Sequence, residues 1–247
     1  MVADSRPAGR SDGWPASTLL VRICGACVRS VPVTGASVSL ITGTGNRSTV
    51  YASDRVSARL EDLQFDLGEG PGIDAFADSR PVLVADLGDP GDATGRRWPA
   101  FTPAAWTAGA RAVFAFPLLL GAARLGVLLL YRDRAGALDP AQLTRALRLA
   151  DGAFFALLDQ LAGSTTTPSG EIDADGHGDG DGHSAHVTFH RAQVYQAAGM
   201  LTVQLGLTIE QAMLRLRGYA VARDRPVADV AADIVGRRLR LEEDNDW

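Results

Sequence analysis

The sequence contains no lysine: all 24 of its basic residues are arginine. Together with the excess of Ala, Gly and Asp, this reads as genome composition bias rather than as a functional signal. Cysteine is scarce too. Cys24 and Cys27 alone cannot build a disulfide framework, which fits a reducing compartment. No run approaches the roughly eighteen apolar residues of a membrane span, so no membrane partner is expected. The most apolar stretch, Ala112 to Tyr131, is broken by Pro117 and Arg124 and reads as two strands and a turn. The N-terminal stretch is polar, without an apolar h-region, so nothing points to secretion and the expected location is the cytoplasm. Histidine first occurs at His177, so the preceding region lacks the commonest general base. G-x-S-x-G, H-E-x-x-H and a P-loop lysine are missing as well. The chain is therefore expected to be no enzyme, with no catalytic residue and no assigned cofactor.

What is present suffices for a core: 46% hydrophobic and 21% charged residues across 247 positions. The net charge of −5 hides an uneven distribution. Residues 1–162 carry 16 Arg and 16 acids; residues 163–186 carry five acids and no Arg. Residues 187–241 hold eight Arg against four acids, and the last six residues add four more acids. A basic block thus lies between two acidic ones, which bears on partners more than the total does.

Composition also divides the chain. The segment 163–186, dense in Gly, Asp, Ser and His, cannot bury enough surface to offset ordering entropy and reads as a flexible acidic linker. It separates a domain over 17–162 from a smaller one over 187–241. Residues 1–16 read as a disordered N-terminus and 242–247 as an acidic tail. His177, His183 and His186 lie in the linker among aspartates, with His190 close behind. Gly-rich spacing fixes no geometry there, so a solvated linker is expected rather than a metal site.

Before the linker, Leu19, Leu20, Ile23, Cys24, Cys27, Val28 and Val31 mark an amphipathic helix over 17–31. Ala36–Thr42 and Ser48–Ala52 read as strands of a hairpin around residues 43–46. Val56, Leu60 and Leu63 have helical spacing. Pro81–Ala85 is a third strand, Arg96–Gly109 contains a helix, and Ala112–Leu120 with Leu125–Tyr131 are two further strands. A long helix opens at Asp139-Pro140, an N-cap followed by N1 proline. This order predicts an α+β layer with a mainly antiparallel sheet. After the linker the pattern is all helical: Phe189–Leu205, then a helix capped by the Thr208/Gln211 capping box, then one burying Val227, Val230, Ala231 and Ile234. Those three helices make a minimal bundle, marginal alone at that size.

The candidate chemistry is sparse. Cys24-Gly25-Ala26-Cys27 has C-x-x-C spacing but falls on the apolar face of a helix, with no second pair to complete a zinc site, so a core role is expected. Gly68-x-Gly70-x-Gly72 could cradle a phosphate at a helix start. It lacks the strand–helix–strand setting of a dinucleotide fold, and a tight turn or a pocket wall fits better. Arg215 and Arg217 lie beside Tyr219 on the second C-terminal helix, and Arg237, Arg238 and Arg240 end the third. Such a cluster reads equally as cations placed near helix C-termini on a solvated face or as a basic, aromatic-bearing surface for phosphates and unpaired bases.

Residues 195–235 resemble the ANTAR domain, through Ala197-x-Gly199-Met200-Leu201, Gly206, the Thr208 cap, Ala212, Leu216-Arg217, Ala220, Val230-Ala231 and Ile234-Val235. Ala197 and Gly199 read as a small-residue strip for close helix approach. Ala198 stands where many members carry Lys, which removes one phosphate contact. Residues 17–161 resemble a GAF domain. The carrying residues are Leu67-Gly68-Glu69-Gly70-Pro71, Asp74-Ala75, Arg80-Pro81-Val82, Asp86-Leu87, Arg97-Trp98-Pro99-x-Phe101, Gly109, Phe116-Pro117-Leu118 and Leu125-Gly126-Val127. Gly72 stands where relatives often have Cys, so no sensing thiol is available there.

These resemblances imply a transcription antitermination regulator: the ANTAR domain binds paired RNA hairpins in leader transcripts, and the GAF domain senses a small molecule or dimerises. Two hairpins suit a homodimer, through avidity. The implied RNA contacts are Arg215, Arg217 and Tyr219, with Gln196 and Gly199 on the adjoining helix. Trp98, Phe101, Phe114 and Phe116 are candidates for the sensor pocket. Two alternatives stay open. Duplex DNA could be read by Val227–Leu239, whose start offers little hydrogen bonding, or the bundle could contact a partner protein.

Overall fold

Nearly every side chain along Ala112–Leu120 is apolar, a pattern that suits a strand covered on both faces. The computed structural model, which describes residues 18–42, 47–89, 94–164 and 182–241, has that arrangement. Five strands form one sheet: β1 (Gly35–Ile41), β2 (Arg47–Ala52), β3 (Val82–Val84), β4 (Ala112–Leu120) and β5 (Ala123–Arg132). Their order is β2-β1-β5-β4-β3 and every neighbouring pair is antiparallel. The expected hairpin is β1–β2; its turn, 43–46, lies outside the described residues. Helices α1 (Thr18–Ser30) and α6 (Pro140–Ser164) cover one face, packing Leu20, Ile23, Phe154 and Leu157 on Phe114, Phe116, Leu128 and Leu130. The other face carries α2 (Arg55–Leu67), α3 (Pro71–Asp78), α4 (Thr94–Arg97) and α5 (Phe101–Thr107). There Leu60, Leu63, Trp98 and Phe101 meet Val113, Ala115, Val127 and Leu129. The α+β reading holds, down to the strands.

The helix expected within Arg96–Gly109 is α5, and the short α4 precedes it across a break at Trp98–Ala100. Pro99 disfavours helical backbone at the residue before it, and the break is held open from outside. Glu69 accepts the main-chain amides of Ala100 and Phe101, each at 2.7 Å, so it caps α5 from a distant loop. Asp74 accepts from the Trp98 indole at 2.9 Å. Cys24 and Cys27 lie buried in the α1/α6 core. Burial pushes the Cys27 thiol up to about 12; Cys24 is raised too, by burial first and then by Cys27. Neither is a thiolate near neutral pH.

The remaining helices are α7 (Gly182–Leu205), α8 (Ile209–Ala222) and α9 (Val227–Val235). They share a core around Val194, Ala197, Leu201, Leu216, Val230 and Ile234. Thr208 and Gln211 form the expected capping box, with reciprocal bonds of 3.2 and 2.9 Å. α6 runs to Ser164 and α7 starts at Gly182, so the rest of the expected linker, 165–181, lies outside the described residues, as do 1–17 and 242–247.

The β1–β2 edge of the sheet buries polar side chains. β1 alternates Ala36, Val38 and Leu40 on one face with Ser37, Ser39 and Ile41 on the other. Ser37, Ser39, Arg47 and Thr49 are buried, and α2 adds the buried Glu61 and Gln64. Arg47 Nη2 pairs with Glu61 Oε2 at 2.9 Å, with the side chains 6% and 0% exposed. Ser37 Oγ donates to the other Glu61 oxygen at 2.8 Å. Removing one partner of such a pair strands the other charge, at a cost of about 3–5 kcal/mol. Glu61→Ala is accordingly expected to lower folding stability by about that amount in denaturant titration; a loss below about 1 kcal/mol would mean that the pair is not buried in solution.

Candidate nucleic-acid interface

α7 has to serve three surfaces at once, and its sequence shows why: apolar and polar residues surround it without a single clean stripe. Val194, Ala197 and Leu201 face α8 and α9. Arg191 and Tyr195 face the sheet domain. Arg191 pairs with Asp62 of α2 at 2.7 Å and donates to Thr49 Oγ1 of β2 at 2.9 Å. The Tyr195 hydroxyl accepts from the Arg47 amide at 2.6 Å, and its ring meets Phe65 edge-on at 5.5 Å. From α8, Arg217 donates to the Phe65 carbonyl through Nη2 at 2.7 Å and Nε at 3.2 Å. Phe65 itself is buried among the C-terminal helices. These contacts seat the bundle on the end of α2.

The seat settles where several expected site residues go. Arg217 is not part of an exposed basic face; it lies over Gly68, whose backbone is left-handed (φ 70°), and a Cβ there would come within 2.9 Å of its guanidinium. Burial lowers the Arg217 pKa, against Tyr195 and Asp66, which raise it. Tyr219 belongs to the bundle core, with the Arg223 guanidinium 5.0 Å from its ring centre. Arg215 is half-buried. The pocket expectation for Trp98, Phe101, Phe114 and Phe116 also needs correcting. All four are buried, and the sheet divides them: Trp98 and Phe101 pack on the α2/α5 side, Phe114 and Phe116 on the α1/α6 side. Phe114 and Phe116, two apart on β4, share the face that α1 and α6 cover, while Trp98 and Phe101 lie across the sheet from them, so these four cannot line one pocket. In the glycine loop, the Gly72 amide donates to Gln64 Oε1 at 2.7 Å, so a side chain occupies the would-be phosphate cradle.

Gln196 and Gly199, in contrast, come together. With Met200 and Val203 of α7 they form one wall of a cleft of about 770 Å³. The other wall is Ile234 of α9 with Arg237, Leu239 and Arg240 beyond it. Gly199 was expected to let helices approach closely, but a Cβ on it would meet nothing within 4 Å. Ala197 and Ala198 make the close contacts instead, both fully buried. A glycine inside a helix costs roughly 0.5–1 kcal/mol relative to alanine, and nothing in the fold offsets that at Gly199.

The charges beside the cleft are sorted by one acid. Asp233 pairs with Arg225 at 2.7 Å and with Arg238 at 2.9 Å. Arg237 and Arg240 enter no ion pair among the described residues. Arg237 also holds a left-handed backbone (φ 56°) just past α9, a conformation that is unusual for a residue with a side chain. The basic run was visible in the sequence; which of its members Asp233 neutralises was not.

Comparison with protein families decides the identity. Residues 15–158, more than half of the chain, match the GAF domain model, and residues 189–235 match the ANTAR domain model. The chain belongs to the GAF family and carries an ANTAR domain after it. Among solved structures it is similar to the photoproduct state of GAF3 from Slr1393 of Synechocystis sp. PCC6803, at 13% identity over 62% of this chain and 99% of that one, TM-score 0.47. It is also similar to the GAF domain of a phosphoenolpyruvate-protein phosphotransferase from Coxiella burnetii (14%, 61% and 88%, 0.43). A third similar structure is the GAF-B domain of DevS from Mycobacterium smegmatis (18%, 61% and 96%, 0.41). No curated protein matches the chain. No helix among the described residues is long and apolar enough to cross a membrane. No group of three or more His, Cys, Asp or Glu among them is placed to hold a metal ion; the side chains of the His177–His190 tract lie outside those residues.

At the GAF–ANTAR seam, Asp66 is pushed up to about 6, by burial first and then by Asp62, against Arg191, Arg59 and Arg217. Its folded value lies above the unfolded one near 3.8. The folded chain therefore holds this proton more tightly, and stability drains away as pH rises from about 4 to about 6, then stays level. Asp66→Asn removes that penalty. Melting curves should show the variant gaining Tm over the parent near pH 7.5, with the gain fading towards pH 4; a gain independent of pH would contradict this account.

Proposed function

We propose that this GAF–ANTAR protein is a signal-responsive, RNA-binding transcription antitermination regulator. The ANTAR domain binds hairpins of a leader transcript, and the GAF domain senses a signal or dimerises. The observation that carries the reading is the α7–α9 cleft, which combines Gln196, an open floor at Gly199, and Arg237 and Arg240 without acidic partners among the described residues. Guanidinium groups at the edge of an apolar cleft suit RNA, where phosphates give affinity and unpaired bases give selectivity. Duplex DNA is the poorer fit, because α9 spends Val227, Val230, Ala231 and Ile234 on the bundle core and has few polar side chains left for base edges.

The protein acts without catalysis in this reading, in the cytoplasm, as a homodimer. A second copy has a surface to bind: Leu19 and Val21 of α1 and Leu147, Phe155 and Leu158 of α6 are exposed on the two helices that pack together on the sheet. Phe155→Glu should then shift the chain from dimer to monomer in light scattering.

Titration of the full chain with a tandem-hairpin RNA, an unpaired RNA and duplex DNA across a salt series tests the function. Selective hairpin binding is expected. Arg237→Ala and Arg240→Ala should each weaken it several-fold and each reduce the salt slope by about 1. Equal, weak, salt-sensitive binding to all three would leave only a polycationic surface, and the bundle's role would pass to a protein partner.

A further inference from the structure

Gly199 is the feature that the fold leaves unexplained. It sits inside α7, where alanine would make a better helix, yet a Cβ there would touch nothing within 4 Å. A glycine that serves no turn, no left-handed backbone and no helix contact keeps space open for something outside the chain. That space is the floor of a cleft of about 770 Å³, within the roughly 300–1,000 Å³ of small-ligand sites. Its aliphatic lining comes from Met200, Ile234 and Leu239, with Val203 at the rim. Val203 stays 87% exposed although it is apolar. Arg237 and Arg240 stand on the same wall as Leu239.

A flat, apolar-faced group linked to anions on either side satisfies every part of this lining. We propose, resting on the RNA reading above, that the α7–α9 cleft receives a single unstacked base from the hairpin loop. The base lies over Gly199 between Met200 and Val203 on one side and Ile234 and Leu239 on the other. Arg237 and Arg240 hold the phosphates that flank it, and Gln196 reaches its edge, as a carboxamide can. Any side chain at residue 199 would occupy the place of the base. The seam takes Arg191 and Tyr195 of α7, and Gly199, one turn further along the helix, lines the cleft.

A thermodynamic cycle tests this in the full-length protein. Each loop position of one hairpin is made abasic in turn, and each RNA is titrated with the parent, Gly199→Ala and Gly199→Leu chains. For the parent, one abasic position should cost at least about tenfold in affinity, and the others little. Gly199→Leu should lose about the same factor on the intact hairpin and nothing further at that abasic position, because cleft and base act as one unit. Gly199→Ala should raise Tm by roughly 1–4 °C while weakening hairpin binding, a pairing that a misfolded variant cannot give. A 2-aminopurine at the same loop position should change its fluorescence on binding, and one in the stem should not. Hairpin binding by Gly199→Leu equal to the parent's, or an abasic cost unchanged in that variant, overturns the base-in-cleft proposal and leaves RNA binding standing. Failure of the parent to prefer any hairpin over unpaired RNA and duplex DNA overturns both.

Discussion

Every α-helix ends in carbonyls that its own amides cannot reach, and in α2 the one at Phe65 is met by Arg217 of α8, 152 residues away in sequence. A cation at a helix C-terminus is favoured by the helix dipole as well as by the hydrogen bond. The other contacts of the seam gather around it. Phe65 lies in the ANTAR core, Tyr195 meets Phe65 edge-on, and Arg191 reaches Asp62 and Thr49. The Arg217 contact also gives a use to Gly68, whose left-handed cap leaves room for the guanidinium. Two domains joined through 165–181 thus share a seam built mostly from polar side chains and main chain.

That seam also helps to bury the polar part of one sheet face, along β1 and β2. Ser37, Ser39, Arg47 and Thr49 would be an ordinary solvated face if α2 and α7 did not lie over them. Arg47 Nε and Nη1, Gln64 Nε2 and Ser39 Oγ are buried and make no hydrogen bond to the described residues. The Arg47–Glu61 pair carries the electrostatic weight of this region, and its surroundings tolerate change poorly because buried charges are held by few partners.

How much of this the sequence disclosed depends on how local each cause is. Period and capping residues placed the five strands, α1, α2, α6 and the helices after the linker, because those signals lie within a few residues of what they specify. The break at Trp98–Ala100 was missed although Pro99 was in view, since its cap is Glu69, some thirty residues earlier. That Ser37 of β1 meets Glu61 of α2, and Thr49 of β2 meets Arg191 of α7, was not legible in the strand pattern, because those partners lie far along the chain. Arg217 and Tyr219 looked like a nucleic-acid surface for the same reason: a helix pattern shows which residues share a face, never what waits opposite. Gln196 and Gly199 were legible as residues to watch, but Arg237 and Arg240 could be told from Arg238 only once Asp233 was seen to take Arg225 and Arg238.

α7 carries the seam on one face, the ANTAR core on a second and the cleft on a third, and a helix moves as a rigid rod over such distances. The core face is continuous and apolar, while the seam rests on one buried ion pair, a few hydrogen bonds and one aromatic contact. Of the surfaces on α7, the seam therefore opens at the lower free energy. A change in the GAF domain that displaces the end of α2 acts on that surface first, and it either carries the bundle along intact or releases it intact. In neither case do the two walls of the cleft separate, since α7 and α9 remain locked by the core between them. Under the proposed function, the GAF domain would act on where the cleft is presented, while both walls of the cleft belong to the ANTAR helices and the segment after them.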